Sequence, residues 1–301
     1  MIGLNEIIVV CRRQPAAEWR PSMTQYEEYE GLQRQIQSLD MGGRYQELMA
    51  VTERFVQLAG QLHGFGDARY ASALNEYAGA HRNLGRYEKA GTLYKDALHV
   101  MAGALGEQSY EYATILNNMA GMYRLQGCYE RSEKAFLKVR NIYANALGKT
   151  HFLYISSLNN LGLLYQDMKR YEEAIRLHRE SLSILSGMEH QNKVTVATTL
   201  INLASAMMGA GDTGKVYAIL SQALQLYRET VGEGHPLYGY GLNALATYHT
   251  KLGDYTPAYT ALEQALTLIE AAYGQDSERY AQAKRNLEAV REKRDQNDEG
   301  T

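Results

Sequence analysis

The sequence predicts an all-α protein that folds as an α-solenoid of helix–turn–helix repeats. Three observations predict it: a period of 42 residues, glycines at fixed positions in the period, and apolar residues at helical spacing. Tyrosine marks the period, with successive spacings of 42, 42, 42 and 84 residues, at Tyr45, Tyr87, Tyr129, Tyr171 and Tyr255. The one missing position is occupied by Thr213. Such a period is typical of solenoids, because a single helix pair cannot bury its apolar face alone.

Glycines indicate where each helix ends. Two residues before the tyrosines or Thr213 stand Gly43, Gly85, Gly127, Gly211 and Gly253, with Lys169 as the exception. Glycine recurs nineteen residues after the marked positions, at Gly64, Gly106, Gly148, Gly232 and Gly274. Glycine suits the left-handed backbone that ends a helix. Each unit is therefore predicted to contain two helices, with a glycine turn between them and another after the second.

The fourth unit shows the helical spacing of apolar residues. Leu158, Leu161 and Tyr165 recur at three- and four-residue spacing in its first helix. Ala174 and Leu182 lie on one face of its second helix. A small residue such as Ala174 lets two helix backbones approach closely, and a larger side chain there would cost about 1–3 kcal/mol.

The period divides the chain into four segments. Residues 22–276 hold six units, and residues 1–21 do not fit the pattern, so no structure is predicted for them. Residues 277–294 are predicted to form one C-terminal capping helix, followed by a polar disordered tail at 295–301. The fifth unit departs from the pattern at Thr213 and Val216, and the link 186–190 before it lacks the form Gly-x-x-His-Pro. A softer or differently curved joint is expected there.

These residues resemble a known family. Leu161-Gly162-x-x-Tyr165, followed by Ala174, resembles the tetratricopeptide repeat pattern. The long period and the text Leu158-Asn159-Asn160-Leu161 are similar to the 42-residue repeats of the kinesin light chain class. The resemblance spans roughly residues 23 to 294. It implies a right-handed superhelix whose first helices line a concave groove, and a scaffold that binds proteins rather than an enzyme.

Composition excludes several other classes of protein. The net charge of −3 does not indicate a nucleic-acid partner. Two cysteines are too few for a disulfide framework, and no apolar run approaches the ~20 residues that span a membrane. We therefore expect a cytoplasmic protein without membrane or nucleic-acid partners, and no cofactor is predicted.

One motif imitates a nucleotide site. Residues Gly209 to Lys215 match the phosphate-loop pattern Gly-x-x-x-x-Gly-Lys, but Val216 follows where serine or threonine would bind magnesium. The segment also lies at the predicted turn of the fifth unit, so a structural turn is the prediction. The eight histidines show no metal-binding spacing, and His151 and His235 are predicted to cap or turn the chain between units.

The candidate binding residues form a polar strip on the first helices. Asparagine or glutamate stands just before the apolar stripe, and a hydroxyl residue lies one helical turn earlier. The strip comprises Glu76, Asn117, Asn118, Asn159, Asn160 and Asn202, with Ser72, Thr114, Ser156, Thr198 and Tyr240 one turn before. Arg82 and Arg124 lie near the ends of their first helices and are predicted to add positive charge.

An asparagine amide donates and accepts hydrogen bonds, so the strip is suited to an extended peptide backbone. The alternative is that these amides bond to the neighbouring repeat and hold the superhelix together, and both roles remain open. The predicted function is a scaffold that binds a peptide segment or partner protein in the concave groove. The alternative function is an assembly subunit or dimer that acts through its convex face or end caps.

Tyrosine is unusually frequent, with 24 tyrosines against 4 phenylalanines. A thin two-layer solenoid has few sites that are dry on every side. Tyrosine supplies apolar area with a polar tip that reaches water. We therefore attribute most tyrosines to packing, with a groove residue such as Tyr240 as a possible ligand anchor.

Overall fold

The computed structural model describes residues 23–189 and 192–299, which form thirteen α-helices and no strand. Twelve helices make six consecutive pairs, one pair per unit, and the last stands alone. The pairs are α1 (Met23–Met41) with α2 (Tyr45–His63), α3 (Ala68–Asn83) with α4 (Tyr87–Leu105), α5 (Tyr110–Leu125) with α6 (Tyr129–Leu147), α7 (Phe152–Asp167) with α8 (Tyr171–Ser186), α9 (Lys193–Ala210) with α10 (Val216–Thr230), and α11 (Pro236–Leu252) with α12 (Tyr255–Tyr273). The single helix is α13 (Glu278–Glu299).

The turn between the two helices of a unit follows the sequence pattern. Each of the five tyrosines that mark the period is the first residue of a second helix. The glycine two residues earlier has a positive φ, for example 66° at Gly43 and 71° at Gly127. Lys169 adopts the same conformation, with a φ of 58°, and no other non-glycine residue in the described ranges has a positive φ. The predicted turn is confirmed in unit four even though a side chain makes it less favourable.

The first helices begin with side-chain caps. Ser109 accepts a hydrogen bond from the backbone nitrogen of Tyr112 at 3.2 Å. His151 Nδ1 accepts from Leu153 N at 3.2 Å, and His235 Nδ1 accepts from Leu237 N at 3.1 Å. These bonds satisfy backbone donors that a helix start leaves free. The predicted capping role of the two histidines is confirmed.

The core lies between the two helical layers and runs along the array. The small residues three positions after the tyrosines, including Ala90, Ala174 and Ala258, are fully buried. Each helix packs against the next along the chain, and several first helices also contact the first helix of the following unit. The buried residues form one cluster that runs from unit one into unit six, a second that units five and six share, and a third between unit six and the cap. Every cluster spans more than one unit or includes the cap, so each unit depends on a neighbour for stability.

Units four and five differ from the rest. Their second helices have 16 and 15 residues, whereas the other four have 19. The cap of α8 is Gly187 with a φ of −86°, not a glycine with positive φ. His190, within the divergent link, lies outside the described residues. The helices therefore shorten at the joint where the sequence departs from the period.

The capping helix is longer than expected. The sequence predicts that the helix ends at residue 294 and that 295–301 form a disordered tail, whereas α13 continues through Glu299. No glycine or proline lies between the start of α13 and Gly300, so nothing local stops the helix at 294.

The N-terminal segment 1–21 lies outside the described residues. Among the helices described, none combines the length and apolar character needed to cross a bilayer.

Candidate functional site

Three cavities follow one another along the first helices of units four to six and the cap. They have volumes of about 330 Å³ between α7 and α9, 340 Å³ between α9 and α11, and 290 Å³ between α11 and α13. Thr198 and Asn202 line the first two, while Asn243 and Thr247 line the last two. The cavities therefore form one continuous surface, which we call the inner groove.

The inner groove is uncharged over most of this length. Amide, hydroxyl and apolar side chains line the first two cavities, without a charged residue. Lysines appear only in the third, where Lys251 and Lys293 lie beside Asn243 and Asn286. Phe152 stands at the edge of the first cavity with 64% of its surface exposed. The groove thus offers hydrogen bonds and apolar contacts, with positive charge at one end.

The asparagines of units three and four bond to the preceding unit. Asn118 Nδ2 donates to Asn75 Oδ1 at 2.9 Å, and Asn160 Nδ2 donates to Asn117 Oδ1 at 3.0 Å. Each bond joins residues 43 positions apart. We call this series the asparagine ladder. These amides hold neighbouring repeats together, which supports the structural alternative for them.

The ladder is interrupted at unit five. By position, Asn202 would bond to Asn159, but Asn159 Oδ1 lies 3.0 Å from His178 Nδ1. Asn159 Nδ2 donates instead to Thr199 Oγ1 at 2.9 Å. The Asn202 side chain consequently has no hydrogen-bond partner within the described ranges, although it lines both uncharged cavities.

A buried histidine causes the interruption. His178 is fully buried, and a Cβ at Gly162 would lie 2.5 Å from its Cε1 atom, so only glycine leaves room for the ring. Burial lowers the pKa of His178 to about 4, which keeps the ring neutral. With Asn159 Oδ1 as acceptor, Nδ1 carries the proton, and Nε2 accepts from Gln166 Nε2 at 3.1 Å. In the sequence, His178 lies on the same helix face as Ala174 and Leu182. The other units carry different residues at the position of His178, namely Thr52, Tyr94, Phe136, Leu220 and Leu262. This histidine was therefore the available sequence signal that unit four differs.

The hydroxyl residues of the strip divide into two groups. Thr114 and Thr198 are half-buried, and their Oγ1 atoms lie 3.0 and 2.7 Å from the hydroxyls of Tyr143 and Tyr227. Burial raises the pKa of both tyrosines. These tyrosine tips therefore reach a threonine of the partner helix rather than water, which corrects the expectation for them. Ser72 and Ser156 are exposed, like the side chain of Glu76.

The charged residues of the strip are mostly paired. Arg124 Nη1 donates to Asp167 Oδ2 at 2.7 Å, so the positive charge expected there is neutralised. Arg82 donates to Asn83 Oδ1 at 3.1 Å. Desolvation, and next the negative charge of Asp40, raise the pKa of Glu76, although its side chain is exposed.

Tyr240 lines the second cavity, with 38% of its surface exposed. Its hydroxyl accepts a hydrogen bond from Arg279 Nη1 at 3.0 Å. Burial, and next a hydrogen bond with Tyr273, raise the pKa of Tyr240 to about 12. The residue is therefore shared between the groove wall and a contact with the capping helix.

The glycine-rich motif has a packing explanation. A Cβ on Gly209 would lie 2.3 Å from Cε1 of Tyr171, so this glycine admits the tyrosine ring of unit four. Gly211 ends α9 with a φ of 85°. The motif lies at the turn between α9 and α10, as the sequence predicted, and no strand precedes it among the described residues.

Comparisons with known proteins agree with this architecture. The tetratricopeptide repeat profile matches residues 111–186 and 195–271, about half of the chain. No curated protein matches the sequence. Among solved structures, BtubC (BKLC) from P. vanneervenii is 22% identical, with a TM-score of 0.57 over 69% of this chain and 90% of that one.

Two other structures are similar. A putative kinesin light chain with nearly identical TPR-like repeats, from Podosopora anserina, is 21% identical, with a TM-score of 0.53 over 68% of this chain and 96% of that one. PlcR from Bacillus thuringiensis, solved with the peptide PapR7 and DNA, is 14% identical, with a TM-score of 0.57 over 71% of this chain and 72% of that one. At these identities the likeness establishes the fold alone.

Tetratricopeptide repeats generally serve as scaffolds for protein–protein interaction, and the fold is typically non-catalytic. The profile covers units three to six, and the 42-residue period continues the pattern into the remaining units. The chain belongs to the tetratricopeptide repeat family and resembles its kinesin-light-chain-like class.

Proposed function

We propose that this protein is a non-enzymatic scaffold that binds an extended peptide segment of a partner protein in the inner groove, centred on units four to six. The observation that carries the proposal is Asn202. Its side chain is half-buried, has no hydrogen-bond partner in the described part of the chain, and lies between two uncharged cavities. An amide held in such a place is available to a ligand.

The chemistry of the walls favours an extended backbone. A peptide in extended form presents unpaired N–H and C=O groups along its length, and an asparagine amide can both donate and accept. The absence of charge among the residues that line the first two cavities favours uncharged ligand residues there. Exposed Phe152, with Leu163 and Val194, offers an apolar site for one ligand side chain.

Selection from a displayed library of random peptides of about ten residues, ~33 Å when extended, tests the proposal. Peptides selected on the wild-type protein are measured by calorimetry against Asn202→Ala. We expect binding to weaken about tenfold, since the ligand loses hydrogen bonds worth about 1.4 kcal/mol. The control is Gln222→Ala, an exposed position on the second helix of the same unit.

The two variants separate the alternatives. If the selected peptides bind Asn202→Ala as tightly as wild type, the assignment of the groove is wrong. If Gln222→Ala weakens binding instead, the second-helix face binds the partner, in agreement with action through the convex face. Circular dichroism of both variants checks that the helical content is unchanged.

A further inference from the structure

The two ends of the described solenoid touch each other. Arg279, in the first turn of the capping helix α13, donates from Nη2 to the hydroxyl of Tyr45 at 2.8 Å. Tyr45 begins the second helix of unit one, so the bond joins residues 234 positions apart in the sequence. Arg279 also donates from Nη1 to Tyr240, in the first helix of unit six, at 3.0 Å. One guanidinium therefore bridges units one and six.

Packing accompanies these hydrogen bonds. The guanidinium carbon of Arg279 lies 4.5 Å from the centre of the Tyr273 ring, at the end of α12. The same ring packs over the turn of unit one, because a Cβ at Gly43 would lie 3.0 Å from Tyr273 Cδ1. Gly43 thus serves two needs, a backbone φ of 66° and room for an aromatic ring from the far end of the chain.

Opposite edges of the array meet at this contact. Gly43 and Tyr45 belong to a turn between the helices of one unit, whereas Tyr273 and Arg279 flank the link between α12 and α13. In an array of antiparallel helices these two kinds of connection lie on opposite edges. The six units therefore complete a circuit, in which unit one meets the end of unit six and the cap.

The Arg279 side chain bonds to tyrosines and not to carboxylates in the described part of the chain. It takes part in no ion pair within the described ranges, and the groups nearest its charge are the phenols of Tyr45, Tyr240 and Tyr273. A planar guanidinium can stack on one ring while its fork donates to two other groups. Lysine lacks that fork. The contact involves few side chains, so it is suited to opening and closing without unfolding of the repeats.

We infer that Arg279 and the tyrosines Tyr45, Tyr240 and Tyr273 form a clasp that closes the solenoid and gates access to its inner groove. The closed form encloses the groove where units one and six meet, and opening of the clasp admits a chain from the side. The gating role rests on the proposed function, whereas the closure itself does not.

Pulsed EPR on the ligand-free protein tests the closure. Spin labels are placed at exposed positions in unit one and in the cap by Gln57→Cys and Lys284→Cys, with Cys11→Ser and Cys128→Ser. We expect a single narrow distance distribution in this background. Arg279→Ala should lengthen the mean distance by ~5 Å or more, about the width of an extended chain, and broaden the distribution. Arg279→Lys should fall between the two, since it keeps the charge and loses the fork.

Arg285→Ala is the matched control, because Arg285 lies in the same helix and, among the described residues, its side chain bonds only to Glu278 and Gln282. Tyr45→Phe removes one hydroxyl of the clasp and keeps the ring, and it decides the question if Arg279→Ala does not fold. The clasp is overturned if the distance distribution of Arg279→Ala equals that of the background protein. If Arg279→Ala does not fold, the same result in Tyr45→Phe overturns it. An equal change in Arg285→Ala overturns the assignment to Arg279. Both results leave peptide binding in the groove unaffected, so the two proposals fail separately.

Discussion

Asparagines at equivalent positions bond differently at two neighbouring joints. One joint lies between units three and four, and the other lies between units four and five. At the first, Asn160 donates to Asn117 and the asparagine ladder holds the repeats together. At the second, Asn159 bonds to His178 and Thr199, and Asn202 is left without a partner in the described structure. Since an amide used between repeats is not available to a ligand, one buried histidine changes the role of its neighbours. Asparagines at equivalent positions in this chain therefore differ in whether they bond to the preceding repeat.

The largest expected effect tests the cause of this difference. Gly162→Ala places a Cβ 2.5 Å from His178, and it should lower the free energy of unfolding by about 2 kcal/mol. Denaturant unfolding, monitored by circular dichroism, measures this loss of stability. Gly121→Ala, in the first helix of unit three with open space around its Cβ, is the control and should stabilise by up to about 1 kcal/mol. Equal effects of the two variants would contradict the close approach of His178 to Gly162.

The next effect compares the asparagines directly. Asn118→Ala should cost about 1–2 kcal/mol, because it leaves the Oδ1 atom of Asn75, a residue only 7% exposed, without its donor. Asn202→Ala should change stability by less than about 0.5 kcal/mol. The same unfolding assay measures both. Similar losses in the two variants would mean that Asn202 has a structural partner.

A pH titration sharpens the comparison at His178. Its pKa is about 4 in the folded state, below the value near 6.5 of an exposed histidine, so the unfolded chain binds the proton first as the pH falls. Stability is therefore lost as the pH falls through this window, by about 1 kcal/mol between pH 7 and 5.5 for this group. His81, with its pKa lowered to about 4 by burial, adds a similar loss. The pKa of His63 is also lowered by burial, so His178→Leu should remove less than half of the pH dependence. An unchanged slope would show that His178 is not buried as a neutral ring.

The smallest effect concerns the turn of unit four. Lys169→Gly should stabilise by about 0.5–1 kcal/mol, because glycine adopts a φ of 58° without the cost that a side chain carries. Gly127→Ala, at the matching turn of unit three, should destabilise by a similar amount. We expect the thermal unfolding midpoint to rise in Lys169→Gly and to fall in Gly127→Ala. A shift of both midpoints in the same direction would contradict this explanation.

Much of the fold could be predicted from the sequence, because its signals are local. The tyrosines marked the turns, where the structure begins five second helices, and the glycines marked where the helices end. His151 and His235 were identified as caps from their place between units. The end of α13 was missed, since the sequence before Gly300 contains no residue that stops a helix.

The candidate site was predicted less well. The strip of asparagines was found, but the sequence left open whether each amide bonds to a neighbouring repeat. Asn118 and Asn202 occupy equivalent positions, and the residues 43 positions before them, Asn75 and Asn159, are both asparagines. The difference comes from His178, which lies 24 residues before Asn202 and on another helix. Arg124 was expected to add positive charge, yet its partner Asp167 is 43 residues away.

The sequence by itself determined the period, the helix pairs and the residues that face each layer, because these depend on contacts within one unit. Only the tertiary structure decided which amides are paired and how the ends of the array meet. The contact between Tyr45 and Arg279 depends on the rotation from each unit to the next. Small rotations add up over six units, and their sum brings together residues that are 234 positions apart. This sum is not encoded in any single repeat.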